Sequence, residues 1–187
     1  YLTDVPERVQ ILGLDGAVLG QRELTDPTES AADGAGRLYV GAGERLTALA
    51  ADGALRWQRD LGVRLADGSM GDIVAVDWDA AAGEVVALDG AGGRLFGFDA
   101  DGVPGIDHPA AGGRRDISSL TDAAVSGGVR HVLDAGTQEV LRFDRYGRGL
   151  EGLALPEPAR RLDVAPDGTA VVLTPSGHVL AFDPNGT

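Results

Sequence analysis

A motif of eight residues recurs along this chain and limits the folds that the chain can adopt. Its clearest copies, 140–147 and 179–186, run from an aliphatic residue through Phe and Asp to a closing Gly. Residues 95–102 form a third copy, and 46–53 and 9–16 are weaker copies. Apolar residues at the first and fourth positions favour a strand, and an Asp or Asn shortly before Gly favours a tight turn. The motif therefore predicts a strand that ends in a sharp turn.

The spacing of the motif predicts a repeat architecture. The closing glycines stand at positions 16, 53, 102, 147 and 186, which are 37, 49, 45 and 39 residues apart. Two further strand-like segments precede most copies, and one follows most of them. Each unit therefore contains four short strands, which we name a to d in chain order. Four-stranded antiparallel units at this period are typical of a β-propeller. We expect an all-β propeller with about five repeat units.

The predicted units have incomplete ends. Their approximate ranges are 1–28, 29–66, 67–112, 113–157 and 158–187. The first unit lacks strand a and the last lacks strand d, so the two cannot complete one four-stranded blade. We expect the chain to be a segment of a larger, six-bladed propeller, because exposed strand edges otherwise invite aggregation. A five-unit arrangement with incomplete end blades is the alternative.

Two propeller families resemble parts of this sequence. Segments 72–77, 84–89 and 94–102 together resemble an NHL-type repeat, and 124–147 and 162–186 match it about as well. This resemblance implies the fold far better than an activity. Residues 51–57 are similar to the repeats of quinoprotein (PQQ) propellers, in which a Trp recurs in each outer strand. Only Trp57 fits that pattern, because Trp78 is predicted to lie in a turn between strands a and b.

Composition narrows the class of partner. The chain has 16 Arg and no Lys against 29 acidic residues, which gives a net charge of −13. This charge argues against nucleic acid and anionic membranes, since both bind clustered cations. The absence of Cys excludes disulfides and thiolate metal sites. We predict no membrane insertion by this segment, and no targeting segment is visible to indicate a compartment. The abundance of Ala, Gly, Arg and Asp is typical of high-GC bacterial genes.

Arginine pairs are the first candidate binding residues. In a propeller, the d–a and b–c loops emerge on one face, where they surround the channel lined by strand a. Equivalent d–a loops carry the candidates Arg114, Arg115 and Asp116, and then Glu157, Arg160 and Arg161. Paired guanidinium groups would hold a carboxylate or phosphate. The alternative is that they pair with loop acids such as Glu157.

Carboxylates at the starts of strand a are the second candidate set. Asp72, Asp116 and Asp163 would together suit Ca²⁺, which prefers oxygen ligands. The alternative is that they accept bonds from backbone N–H or Arg groups. No cofactor is predicted, and Ca²⁺ is the one ion that the pattern would fit.

The histidines and the recurrent aspartates favour structural roles. His108 is predicted in a Pro-flanked loop, His131 at the start of a strand b and His178 in a b–c turn. None falls on a strand a, so we predict no catalytic residue. The aspartates that recur inside the motif are predicted to cap the turn that follows. They are Asp99, Asp144 and Asp183.

Two functions remain open. The favoured hypothesis is a non-enzymatic interaction or scaffold module of a larger bacterial protein or assembly, such as a sensor domain or a component of a phage-tail-like particle. It implies a protein partner. The alternative is a divalent-metal-dependent propeller lyase or lactonase, as related propellers include such enzymes.

Overall fold

The computed structural model describes residues 2–4, 8–13, 15–62, 64–110 and 119–186. These ranges contain eighteen β-strands. The strands are β1 (Leu2–Asp4), β2 (Arg8–Leu12), β3 (Val18–Glu23), β4 (Pro27–Ala32), β5 (Leu38–Ala42), β6 (Arg45–Leu49), β7 (Leu55–Asp60), β8 (Ile73–Asp79), β9 (Glu84–Asp89), β10 (Arg94–Asp99), β11 (Pro104–Pro109), β12 (Leu120–Ser126), β13 (Val129–Asp134), β14 (Glu139–Phe143), β15 (Gly149–Ala154), β16 (Arg161–Val164), β17 (Ala170–Leu173) and β18 (Val179–Phe182). No helix in these ranges is long and apolar enough to cross a membrane.

The strands form five antiparallel sheets, each ordered as its strands follow in the chain. Sheets 2, 3 and 4 have four strands each (β4–β7, β8–β11 and β12–β15), and sheets 1 and 5 have three (β1–β3 and β16–β18). The inner strands β4, β8, β12 and β16 pack in that order. This arrangement confirms the predicted all-β propeller. Strand β4 begins at Pro27, so the predicted division between residues 28 and 29 falls inside a strand.

Each middle sheet buries both of its faces against its neighbours. In β9, Val85 and Ala87 pack in an apolar cluster with sheet 2. Val86 and Leu88, on the opposite face of the same strand, pack in a cluster with sheet 4. Side chains of a strand alternate between its two faces, so an apolar run is what a doubly covered strand requires. A single sheet of this kind cannot hide both faces, and the stack of sheets supplies the core.

Aromatic side chains fill the space between sheets 2 and 3. The Tyr39 ring stacks on Trp78 at 5.3 Å between centroids, and Trp57 lies 5.9 Å from Tyr39 and 5.8 Å from Phe98. Trp78 belongs to β8, so its predicted place in a turn is wrong. The side chain of Trp57 also donates a hydrogen bond of 3.1 Å from Nε1 to the carbonyl of Ala100, in sheet 3.

The motif turns have the geometry that their sequence predicts. Gly102 and Gly147 both have φ of 78°, a conformation that favours glycine. Asp99 accepts the N–H groups of residues 101 and 103, each at 2.9 Å, through one carboxylate oxygen. Asp144 accepts the matching pair of N–H groups in its own turn, and Asp183 accepts the N–H of Asn185 at 2.8 Å. The capping role predicted for these three aspartates is confirmed.

The closing glycines also allow neighbouring sheets to approach. The pairs that join an outer strand to the motif turn of the next sheet are Trp57–Gly102, His108–Gly147 and Leu153–Gly186. A Cβ atom at these glycines would lie 2.7, 2.8 and 3.0 Å from the facing side chain, in that order. Gly16, in sheet 1, has the same left-handed backbone but no such neighbour within 4 Å. Gly16 therefore has only the conformational role of a motif glycine, whereas Gly102 has this role and also allows close packing.

This difference predicts unequal costs for one substitution at two motif turns. Gly16→Ala should lower the free energy of unfolding by about 1–2 kcal/mol, the cost of a left-handed non-glycine residue. Gly102→Ala should cost roughly 1–3 kcal/mol more, because the new methyl group overlaps the Trp57 ring. Urea unfolding of both variants measures the difference. Equal losses would show that the glycine matters only for its backbone.

Candidate functional site

A cavity of about 900 Å³ lies at the mouth of the channel, where the inner strands begin. We call it the channel-mouth cavity. Its walls come from sheets 2 to 5 and combine charged, hydroxyl and aliphatic side chains. The lining residues are Asp26, Thr28, Glu29, Gly43, Asp72, Ile73, Val74, Thr121, Arg160, Arg161 and Leu173.

The starts of the inner strands position these side chains. Asp26 and Asp72 directly precede β4 and β8, Thr121 is the second residue of β12, and Arg160 directly precedes β16. The b–c loop of sheet 2 is tied to β8 because Ile73 donates its N–H to the carbonyl of Gly43 at 2.8 Å. Backbone hydrogen bonds therefore hold the rim before any ligand binds.

An ion pair spans the cavity. Arg161 of β16 donates from Nη1 to Oε1 of Glu29 in β4 at 2.8 Å, although the two residues are 132 positions apart in the chain. This hydrogen bond raises the pKa of the guanidinium group. More than half of the Arg161 side chain is exposed, so the pair contributes at most about 1 kcal/mol. Other N–H groups of Arg161, and the exposed Arg160, remain available to a ligand.

Buried carboxylates connect the inner strands beside the cavity. Asp122 of β12 accepts the N–H of Leu162 in β16 at 2.8 Å and that of Ala123 at 2.9 Å. Burial raises the pKa of Asp122 to about 6, although the Leu162 N–H and the Arg161 charge both oppose this rise. Asp77 of β8 makes the matching bond to the N–H of Val125 in β12 at 2.7 Å. These bonds set the spacing of the strands that carry the rim.

The structure brings two of the predicted loop residues to the cavity. Arg160 and Arg161 line it, whereas Arg114, Arg115 and Asp116 lie outside the described residues. Glu157 pairs with His178 instead, at 2.8 Å from Nδ1 to Oε1, and it also accepts a bond of 3.1 Å from Ser176. The bond from His178 lowers the pKa of Glu157. Arg161 does pair with an acidic residue, but this residue is Glu29 of β4 and not Glu157.

Of the two predicted metal ligands that the structure describes, only Asp72 lies at the channel-mouth cavity. Asp72 lines the cavity, but Asp163 does not, and its carboxylate accepts the N–H of Val164 at 2.7 Å. Asp116 is outside the described residues. Within the ranges that the structure describes, no three His, Asp or Glu side chains are grouped so as to hold a metal ion. A Ca²⁺ site remains a prediction.

Two histidines are buried in strands. His108 lies in β11 rather than in the predicted loop, and its ring packs 5.4 Å from that of Phe143. His131 is the third residue of β13, and Nδ1 of its buried ring has no partner among the described residues. Burial and the charge of Arg142 lower the pKa of His131 to about 4. Neither residue lines the channel-mouth cavity.

Four polar residues of the cavity were missed by the sequence reasoning. They are Asp26, Thr28, Glu29 and Thr121. One signal was present, because Asp26 stands directly before Pro27, where a short connection must turn sharply. Its φ is 47°, a left-handed conformation that Asp tolerates better than most residues. The other three residues lie within inner strands whose exposed side cannot be recognised from one sequence.

Comparison with known proteins supports the fold. No family model and no curated protein matches this sequence. Among solved structures, the Pan2 WD40 domain of Neurospora crassa is similar with a TM-score of 0.70 at 10% identity, over 96% of this chain and 58% of that one. Streptogramin B lyase is similar with a TM-score of 0.67 at 13% identity, over 95% of this chain and 62% of that one. A protein of unknown function from Bacteroides caccae is similar with a TM-score of 0.67 at 13% identity, over 96% of this chain and 70% of that one.

These comparisons establish a β-propeller and nothing finer. All three identities are far below the level at which function can be transferred, and propellers host many unrelated functions. This chain spans less than two thirds of the length of two of these structures, the Pan2 domain and the lyase.

The buried His131 predicts a loss of stability in acid. Unfolding lets its imidazole recover the ordinary pKa of 6.5 from about 4, a difference worth roughly 3 kcal/mol. The unfolded chain binds the proton more tightly, so stability falls as the pH is lowered from 6.5 to 4. His131→Val should reduce this loss, and Val86 and Val171 occupy the equivalent positions of other sheets.

Chemical denaturation at pH 7 and pH 4.5 measures the change. The difference in unfolding free energy between the two pH values should be smaller in His131→Val than in the parent protein. An identical difference in both proteins would show that His131 is not the group that titrates.

Proposed function

We propose that this chain is a non-enzymatic propeller module that binds a partner protein at its channel-mouth cavity. The observation that carries the proposal is that four sheets meet at one cavity. This cavity contains charged side chains that have no partner among the described residues. Its volume of about 900 Å³ lies in the range of ligand sites in proteins. The guanidinium group of Arg160 makes no hydrogen bond or ion pair with the described residues, although it stands at the rim, and only the backbone N–H of this residue is bonded, to the carbonyl of Leu173.

The fold supports this function because it separates stability from recognition. The apolar clusters and the turn glycines lie between the sheets, whereas the cavity residues stand at the starts of the inner strands. Residues at such loop-bordered ends can vary without disturbing the core.

We further propose that the repeats are NHL-like and that the module serves as a scaffold within a larger propeller. Two features support the larger ring. Gly16 has the conformation of a motif turn that receives a side chain, but it receives none from the described residues. Among the described strands, β18 pairs with β17 alone, whereas its counterparts β6, β10 and β14 pair on both sides. A sensor domain and a component of a phage-tail-like particle are the contexts that we favour.

A metal-dependent lyase is the competing function. Streptogramin B lyase shares the fold, and the cavity contains three carboxylates, Asp26, Glu29 and Asp72. Glu29 is already engaged by Arg161, which would have to be displaced before the carboxylate could bind an ion. Isothermal titration of the purified protein with Ca²⁺ and with Zn²⁺ should show no saturable site. Stoichiometric binding that is lost in Asp72→Asn would favour the enzyme.

The binding proposal predicts that replacing Arg by Gln reduces partner capture on the cavity face but not on the opposite face. A photo-crosslinking residue at position 28, in the cavity, should capture a discrete partner from cells that make the protein. Arg160→Gln should reduce the yield of this adduct at least about threefold, the loss expected from one partly exposed charge contact. Arg145→Gln, on the opposite face in a motif turn, should leave the yield unchanged.

The converse result would contradict the proposal. A crosslinker at Tyr146, which is exposed beside Arg145, should give no discrete adduct. Capture from position 146 but not from position 28 would place the binding surface on the motif-turn face.

A further inference from the structure

A second cavity continues the first one outward between sheets 1 and 2. Its volume is about 480 Å³, and we call it the side cavity. Asp26 and Gly43 line both cavities, so the two adjoin at these residues, and we call the pair of cavities the groove. The remaining walls of the side cavity include Thr25, Glu44 and Thr47.

Thr47 is polar at a motif position that is apolar in the three later copies, although the first copy has Gln10 there. The equivalent position of the motif holds Phe96, Leu141 and Leu180 in the three later copies. Thr47 is only 1% exposed, and its hydroxyl has no hydrogen-bond partner among the described residues. A buried hydroxyl without a partner is costly in a free protein, and it lines the side cavity. A ligand that supplies a backbone N–H or carbonyl would satisfy it.

The junction of the two cavities is acidic. Asp26 stands there, and Asp72 approaches Gly43, whose added Cβ would lie 4.0 Å from Asp72 Oδ1. Neither aspartate side chain has a hydrogen bond or an ion pair with the described residues. Two of the nearby cations are already paired, since Arg45 binds Asp60 and Arg161 binds Glu29, both at 2.8 Å. Arg22 is the other cation that lines the side cavity. The whole chain carries a net charge of −13, which attracts cationic partners over a long range.

We propose that this groove binds an extended peptide segment with a basic residue. The arginine or lysine side chain of the segment lies at Asp26 and Asp72, and its backbone hydrogen-bonds the hydroxyl of Thr47. Arg160, across the channel-mouth cavity, disfavours a second cation there and so sets the direction of the segment. This inference rests on the proposed function, because it names the chemistry of the partner that the same face would bind.

Short capped peptides test the ligand class. The probe is acetyl-Ala-Ala-Arg-Ala-Ala-amide, compared with the same peptide carrying Gln or Glu in place of Arg, and with free arginine. We expect the Arg peptide to bind most tightly in a titration followed by ¹H–¹⁵N spectra. The shifted amides should include those of Asp26, Gly43 and Thr47.

Three variants identify the site. Thr47→Val should weaken the Arg peptide about fivefold, the effect of one hydrogen bond, without lowering the melting temperature of the free protein. Asp26→Asn should weaken it about threefold, and Asn tolerates the left-handed backbone at this position as well as Asp does. Asp101→Asn, on the opposite face, is the matched control and should not change the affinity.

Several outcomes would overturn the inference. If the Gln peptide binds as tightly as the Arg peptide, the groove does not recognise a basic residue. If free arginine binds as tightly as the Arg peptide, the groove does not recognise a peptide backbone. Unchanged affinity for the Arg peptide in Thr47→Val would show that the peptide does not bind at the groove. Equal losses of affinity in Asp26→Asn and Asp101→Asn would show that the acidic surface attracts the peptide without a specific site. If no probe binds while the crosslink at position 28 still forms, this inference fails and the proposed binding face stands.

Discussion

The contact between a motif-turn glycine and an outer-strand side chain of the preceding sheet sustains the propeller. Each middle sheet has two apolar faces, so no sheet can be stable without close neighbours. At the outer edge, Trp57 lies against Gly102 at a distance that no side chain at that position would permit. At the inner edge, Asp77 and Asp122 accept backbone N–H groups of the following sheet. The sheets are therefore joined at both edges, with apolar clusters between.

Because these joints fix the sheets, the ends of the inner strands can carry polar groups. The cavity contains two cations from sheet 5, carboxylates from sheets 2 and 3, and hydroxyl groups from sheets 2 and 4. None of these side chains belongs to the apolar clusters between the sheets. The salt bridge between Arg161 and Glu29 across the mouth is exposed enough for a charged ligand to displace one partner at small cost. Recognition by this face would then require little rearrangement of the fold.

Local features of the chain were predictable from sequence, and contacts between distant segments were not. The Asp and Gly of each motif dictate a turn through their own backbone preferences, so the turns at Gly102 and Gly147 were correctly predicted. Trp78 was misplaced because the polar neighbours Asp77 and Asp79 resemble a turn, whereas both carboxylates bond to backbone N–H groups of sheet 4. The partner of Arg161 lies 132 residues away, and no local pattern identifies Glu29. Only the assembled sheets place Asp26 and Thr47 beside cavities.

Hydrogen exchange of the protein, alone and with its captured partner, is the most direct test of the binding face. Binding at the channel mouth should slow exchange at the amides of Gly43, Ile73 and Arg160. It should leave the motif-turn amides of Gly53 and Gly147 unchanged, because they lie on the opposite face. Protection of the motif turns, or of β18 alone, without protection of Gly43 and Arg160 would contradict binding at the channel mouth.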